Sequence, residues 1–417
     1  MSDPIKIGFF SKETYTKFKI LFKLVNYIKT IFVLPIIVLH LLIYPLIRIK
    51  FGYIMTKTIG NSLGAFEIFV YENQNKNEII FWYTDNLVAN NYWYKKIKKK
   101  FLFIPGFIGS PIYSFYKKFR FLNNFIVPKR NFESSQNLNL IKTKEDLSPI
   151  TDINDVLKKN PPLIRFNSKE IKAGEKFLED NNIEKHDTII CIHVRSSSYR
   201  NETINSIRNS NINNFEKSIK FLIGMGCKVI RMGRDEKDIF LPKNKDFFDY
   251  ASSKDQNDFL DFYLIHKCKF FICAASGVTE IAKIMRKPML IHNYFPLINL
   301  IHSKGNYKKL ILPKKIVNRK NGKLETFTEM FKKDFVKLKN YTDLENNGID
   351  LIENTDLEIL NSVKEMYDLV INNKQDNINQ SKFIMNYKKL FNGLSPNIKI
   401  SSSFYKENID LFEKEYY

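Results

Sequence analysis

Apolar residues along this chain gather into short, nearly unbroken runs separated by polar loops and by segments of helical spacing. The run Thr188 to His193 (TIICIH) has strand length and almost no polar interruption. That is the pattern of a strand buried in a parallel sheet. A serine-rich polar segment from Ser196 to Glu202 follows. From Ile212 to Met225 the apolar positions Ile212, Phe215, Ile219, Phe221, Leu222 and Met225 recur at helical intervals. Gly224 and Gly226 end that helix, and Cys227 to Gly233 predicts the next strand. Strand, loop, helix, strand is the signature of a parallel sheet with crossovers. Such sheets bind ligands at the carboxyl ends of their strands, which is where His193, Arg195 and Arg231 are expected.

The pattern repeats further on. Phe247 to Tyr250 predicts a short strand ending in polar residues, with Asp249 and Tyr250 as candidate ligand-binding residues. Asp258 to His266 has helical spacing, Lys269 to Cys273 is a strand, and Ala274 to Glu280 opens a helix that runs to Met285. Small residues at that helix start suit a diphosphate on the free amides of Ser276, Gly277 and Thr279, with a ribose on Glu280. A simple N-cap by Ser276 explains the same residues. Met289 to His292 predicts one more strand; beyond Ile311 the chain reads as helical and charged, and Ser401 to Tyr417 as a terminal helix.

Upstream, residues 31–47 (IFVLPIIVLHLLIYPLI) carry no formal charge, are interrupted by Pro35 and Pro45, and hold His40 near their middle. They predict a membrane-embedded segment, either a short span or a re-entrant or interfacial helix, with a buried core helix as the alternative. Gly60 and Gly64 stand at the start of a predicted helix, where glycine lets the backbone approach an anion or simply turn. Glu67 follows them, as a candidate general base or an ordinary helix-surface carboxylate. Glu78 to Tyr83 and Phe101 to Ile104 predict strands, with a helix around Asn86 to Trp93 and a basic run from Lys95 to Lys100 between them. The polar, proline-bearing stretch 128–165 predicts a connection between two lobes, and Asn167 to Asp180 a helix. The expected domains are therefore 1–50, a basic N-terminus with the membrane-associated segment; 51–165, an acceptor lobe and linker; 166–395, a donor lobe; and 396–417, a C-terminal helix.

Composition narrows the function classes. The 417 residues include 66 Lys and Arg against 44 Asp and Glu, a formal net charge of +22. That surplus suits an anionic partner. The aromatic residues lie in apolar runs and do not interleave with the basic clusters, which argues against nucleic acid as a partner. Cys191, Cys227, Cys268 and Cys273 form no CxxC pair and lie in or beside apolar runs, as buried reduced thiols in a reducing compartment do. No zinc-ligand spacing and no convincing DxD-type pair is present, so no metal site is expected.

With HVR after a strand, VIRMG ending the next, FDY, and FFICAASGVTEIAKIMRKP, residues 54–410 resemble a family of bacterial surface-polysaccharide glycosyltransferases. More distantly they are similar to fucosyltransferases of GT-B architecture. The resemblance implies an α/β fold of two Rossmann-like lobes with parallel sheets, the nucleotide sugar held mainly by the second. In those enzymes a His-x-Arg-Arg-Gly-Asp type loop holds the donor diphosphate. His193 and Arg195 match it, whereas Ser196 replaces the second arginine and no Asp follows; Ser276 and Gly277 match the later Ser-rich turn. The implied reaction is transfer of a sugar from a nucleotide diphosphate sugar to a polysaccharide or lipid-linked glycan acceptor, without metal, at the cytoplasmic face of a membrane reached through residues 31–47. Arginines and helix N-termini would then stabilise the leaving diphosphate. The rival readings are a sugar-nucleotide epimerase of the same architecture and a non-catalytic scaffold in polysaccharide assembly.

Overall fold

The computed structural model describes residues 28–29, 31–60, 62–127, 152, 154–195, 207–234, 244–297, 300, 308–338, 340–374, 378–390 and 399–413. In chain order the elements begin with α1 (residues 31–43), β1 (Ile49–Ile54), α2 (Leu63–Glu72), β2 (Ile79–Thr84), α3 (Asn91–Lys98), β3 (Leu102–Phe103), α4 (Gly106–Lys118) and α5 (Ser168–Asp180). They continue with β4 (Thr188–His193), α6 (Glu216–Gly224), β5 (Cys227–Arg231), β6 (Phe247–Asp249), α7 (Asp258–Lys267), β7 (Phe271–Cys273) and α8 (Gly277–Ile284). Last come β8 (Met289–Tyr294), β9 (Lys309–Pro313), β10 (Lys315–Asn318), β11 (Ile349–Ile352), α9 (Asp356–Val370), α10 (Ser381–Leu390) and β12 (Lys399–Ile400). Two compact units result. The first comprises Met1–Lys57, Asn75–Ala89 and Tyr94–Lys129, and the second Thr58–Gln74, Asn90–Trp93 and Arg130–Tyr417. The expected boundary after residue 165 therefore differs from the observed division, because α2 packs on α8 and joins the second unit.

The first unit is built on a parallel sheet of order β1-β2-β3, with Ile49 opposite Ile79 and Trp82 opposite Phe103. Its core holds Phe51, Tyr83, Ile112, Tyr113, Tyr116 and Ile126, joined by Val33 and Ile37 from α1. His40 completes that contact. Its Nε2 lies 3.0 Å from the Ile49 carbonyl and its Nδ1 2.5 Å from the Tyr116 hydroxyl. A carbonyl only accepts, so Nε2 carries the proton and Nδ1 accepts from the tyrosine. Burial lowers the His40 pKa, which keeps the ring neutral.

The uncharged run 31–47 is thus a core helix on one face. Among the described residues no helix is long and apolar enough to cross a membrane. The helix predicted around Asn86 to Trp93 instead runs Asn91–Lys98, because Asn90 accepts from the Trp93 amide at 2.8 Å and so fixes its start. Part of the basic run is therefore helical.

The second unit carries a seven-stranded sheet of order β12-β9-β8-β7-β4-β5-β6, in which every neighbouring pair is parallel. From β4 the chain builds outward to β5 and β6, then returns to add β7, β8 and β9 on the other side. This is the doubly wound α/β arrangement, and its strand order reverses between β4 and β7. Burial on both faces accounts for the unbroken apolar runs: β4, β5, β7 and β8 are buried almost throughout. Helix α5 begins on a capping box between Asn167 and Glu170, and α7 on Asn257 accepting from the Leu260 amide. The region beyond Ile311, expected to be helical, also supplies β9, the antiparallel pair β10–β11, and β12. The terminal segment forms two short helices, Ser402–Glu407 and Ile409–Glu413.

If α1 is integral to the first unit, His40→Leu should destabilise it, since the Ile49 carbonyl and the Tyr116 hydroxyl lose a buried partner. The expected loss is about 1–3 kcal/mol, read as a lowered urea midpoint by circular dichroism. An unchanged midpoint would mean the helix rests on the unit without helping to hold it.

Candidate active site at the strand-order reversal

Where the strand order of a doubly wound sheet reverses, the loops leaving the two central strands part in opposite directions and open a crevice. Here those strands are β4 and β7, paired with Cys191 opposite Phe271 and His193 opposite Cys273. His193 ends β4 and Ser276 caps α8, and the His193 Nδ1 lies 3.4 Å from the Ser276 hydroxyl. Around this contact the backbone is fixed. The Ala274 amide donates to the His193 carbonyl at 3.2 Å, and the Thr279 hydroxyl donates to the Ala274 carbonyl at 2.7 Å. A capping box joins Ser276 and Thr279. The predicted N-cap is present, and it uses two of the amides expected to be free: the Ser276 amide donates to the Thr279 hydroxyl at 3.4 Å and the Thr279 amide to the Ser276 carbonyl at 3.2 Å.

His193 is almost wholly buried, and burial, reinforced by His292, Arg195 and Arg231, pushes its pKa down to about 3. At neutral pH it is therefore an uncharged hydrogen-bonding group. Arg195 stands two residues past β4 and is mostly buried; its carbonyl accepts from the Ser210 amide at 2.9 Å. The serine-rich residues Ser196 to Glu202 lie outside the described residues, as do Asp235 and Glu236.

Gly60 and Gly64 also come to this place. A Cβ on Gly60 would lie 3.3 Å from the Gly277 Cα, and one on Gly64 would lie 2.3 Å from the Glu280 Oε2. The two glycines thus let the start of α2 approach the start of α8. Glu280 pairs with Lys283 at 3.3 Å beside Gly64. Glu67 is no surface carboxylate. It is buried, and its Oε1 accepts from Arg286 at 2.6 Å and from the Leu163 amide at 3.0 Å. A carboxylate held in this way ties α2 to the turn after α8; it is not poised to take a proton.

Arg231, Asp249 and Tyr250 serve the sheet rather than its edge. Arg231 and Asp249 lie opposite each other on β5 and β6 and form a buried ion pair at 3.1 Å. Tyr250 is fully buried, donating to Asp261 Oδ1 at 3.1 Å and accepting from the Asn257 amide at 2.9 Å. Asp258, at the start of α7, pairs with Arg234 and accepts from the Asn91 amide at 2.6 Å. Among the described residues no group of three or more His, Cys, Asp or Glu could hold a metal ion. The four cysteines are free and buried.

Several residues at the ligand edge escaped the sequence analysis. His292 on β8 donates from Nε2 to the His193 carbonyl at 3.1 Å, so β8 braces the end of β4. Asn293 and Asn354 exchange amide-to-side-chain bonds, each of 2.7 Å, and Asn293 donates to the Ser210 hydroxyl at 3.0 Å. Lys314, directly after β9, is buried and donates to the Asn209 carbonyl at 2.9 Å; burial pulls its pKa down to about 8. The signal for Lys314 was its place after the apolar run LILP, obscured by lysines throughout the neighbourhood. A separate cavity of about 830 Å³, lined by Lys308, Lys309, Glu365, Lys399 and Lys406 among others, lies by the amino ends of β9 and β12, the edge away from the reversal.

No known family matches this sequence, and no curated protein does. Similar solved structures include glycosyltransferases. An ADP-heptose lps heptosyltransferase II of E. coli is 12% identical with a TM-score of 0.37, over 63% of this chain and 90% of that one. A glycosyl transferase family 9 protein of Veillonella parvula is 11% identical with a TM-score of 0.38, over 63% and 86%. A UDP-GlcNAc 2-epimerase of Methanocaldococcus jannaschii is 10% identical with a TM-score of 0.35, over 63% and 89%. At such TM-scores these likenesses carry no argument about activity.

The neutral state of His193 has a measurable consequence. Below the unfolded value of 6.5 the unfolded chain takes a proton that the folded chain refuses until about pH 3. Stability conferred by His193 is then present above pH 6.5 and is lost as the pH falls toward 3. His193→Asn cannot be protonated, so its melting temperature should fall less steeply than wild type between pH 6.5 and 4. Parallel curves would show that His193 charges normally in the folded protein.

Proposed function

We propose that the chain is a glycosyltransferase that moves a sugar from a nucleotide diphosphate sugar to a surface polysaccharide or lipid-linked acceptor. It has GT-B-like architecture and works at the cytoplasmic face of a membrane. The observation that supports this reading is the strand-order reversal between β4 and β7 of a doubly wound sheet, where the His193 Nδ1 lies 3.4 Å from the Ser276 hydroxyl. The start of α8 at Gly277 faces the diphosphate, Arg195 supplies the positive charge, and neutral His193 with Ser276 supplies uncharged hydrogen bonds. As the glycosidic bond to the donor phosphate breaks, negative charge grows on the leaving nucleoside diphosphate, and these fixed dipoles and the guanidinium stabilise it. Buried, reduced cysteines suit a reducing compartment.

Arg195→Ala should leave the melting temperature near wild type and weaken nucleotide-sugar binding on the order of 10- to 150-fold, the equivalent of losing a charge-assisted contact of roughly 1.5–3 kcal/mol. Lysine should restore part of this, since it keeps the charge without the planar fork. A thermal-shift panel of GDP, UDP, CDP, ADP and dTDP sugars finds the donor. A mutant that loses stability and keeps its affinity would make Arg195 structural.

Transfer is proposed to need no divalent ion, because arginine and helix amides already meet the diphosphate charge. Activity should therefore survive EDTA. Loss on chelation with recovery on Mn²⁺ or Mg²⁺ would place a metal at the diphosphate instead.

A further inference from the structure

The first unit has a surface unlike the rest of the molecule. Val33, Ile37 and His40 turn one face of α1 into the core, yet the opposite face is apolar too. Phe32 is 78% exposed, Leu42 71%, and Leu46, in the turn that follows, 87%. Leu39 is exposed between them. A water-facing helix normally reverses its character around the axis, apolar inward and polar outward; this one does not. The 3₁₀ turn Arg120–Phe125 packs beside it, with the Phe125 ring 4.5 Å from that of Tyr44 and 5.3 Å from that of His40. That turn exposes Phe121, 78% accessible, within the run Lys117-Lys118-Phe119-Arg120-Phe121.

Charge selects the occupant of this face. The described residues of the first unit contain thirteen Lys and Arg against two Asp and Glu, a surplus of eleven, half of the chain's total of +22. Of the two carboxylates, Glu78 pairs with Lys50 at 2.8 Å, and Asp85 accepts from the Tyr53 hydroxyl and the Thr56 amide. The excess thus belongs to the same unit as the exposed apolar face, and it arises from that unit's scarcity of carboxylates. A second copy of the chain would bring eleven like charges against eleven. An anionic bilayer offers both complements, headgroups for the basic rim and acyl boundary for Phe32, Leu42 and Phe121.

We propose that the first unit docks in the plane of an anionic lipid surface, with the outer face of α1 and the 3₁₀ turn buried at the headgroup level and no segment of α1 crossing the bilayer. The opposite face of α1 is committed to the core, and the chain turns at Tyr44 and enters β1 within a few residues, which fixes the helix parallel to the unit's surface. This rests on the first unit alone, so its failure and that of the glycosyltransferase reading are separable.

The test is cosedimentation of the purified full chain with vesicles of phosphatidylcholine alone or of equal parts phosphatidylcholine and phosphatidylglycerol. Binding should favour the anionic vesicles and fall as salt rises. Phe32→Ser with Leu42→Ser and Phe121→Ser should abolish it while leaving the melting temperature unchanged, since these side chains are exposed. Lys117→Glu with Lys118→Glu should weaken it by at least about tenfold. The bound protein should be released by alkaline carbonate washing, as a spanning protein would not be. Equal binding to neutral and anionic vesicles, or none to either, overturns the proposal. So does a dimer that sedimentation velocity detects in wild type and that the triple variant abolishes, because the face would then join two proteins.

Discussion

Parallel pairing of β4 with β7 is the constraint on which the ligand edge depends. Because β4 is the first strand of the sheet and β7 the fourth, the chain must leave β4 toward β5 and later leave β7 toward β8. The two loops therefore diverge and expose the ends of both strands together. His193, Ser276 and the amides of α8 share one place for that reason alone, although 83 residues separate the histidine from the serine. The brace from His292 to the His193 carbonyl and the Asn293–Asn354 exchange then fix the edge by hydrogen bonds between buried polar groups. Left unpaired, groups so buried would be costly, and paired they rigidify the site.

Several ionisable groups that read as chemistry prove to be mechanical. Arg231 with Asp249, and Arg286 with Glu67, are ion pairs with at least one nearly inaccessible partner. Removing one member would leave a buried charge uncompensated, which is why such pairs are stiff connectors even where their net stabilisation is small. The first locks β6 to β5, and the second locks α2 to the turn after α8. Gly60 and Gly64 belong to the same joint, where absence of a Cβ lets two helix starts meet. The start of α8 is thus joined to α2, a segment that precedes it by more than two hundred residues.

Charge is distributed unevenly between the two units, and each uses it differently. In the second unit a few cations are buried at defined points: Arg195 just past β4, Lys314 just past β9, and Arg231 inside the sheet. The first unit pairs a net positive charge with apolar side chains of α1 and of the 3₁₀ turn that are left exposed. The scarcity of carboxylates there, two among the described residues, makes the first unit basic.

The sequence by itself determined the parallel α/β character, since unbroken apolar runs of strand length separated by helical periods have few other solutions. It also placed His193, Arg195, Ser276 and Gly277 at strand ends, because the runs stop just before them. Fixed numbers of residues after a buried strand translate directly into position at a sheet edge. Tertiary structure alone decided which of the strand-end residues face the crevice. Arg231 and Arg195 look equivalent in sequence, one ending a strand and one just past another, yet Asp249 arrives opposite Arg231 through a pairing that no local pattern encodes. Glu67 met Arg286 across 219 positions, and β9 to β12 were hidden because short strands at the sheet margin share the composition of charged loops. The segment 31–47 shows the division most plainly. Its hydrophobicity was visible, but only the packing of Val33, Ile37 and His40 against the first unit turned one face of a uniformly apolar helix inward and left the other outside.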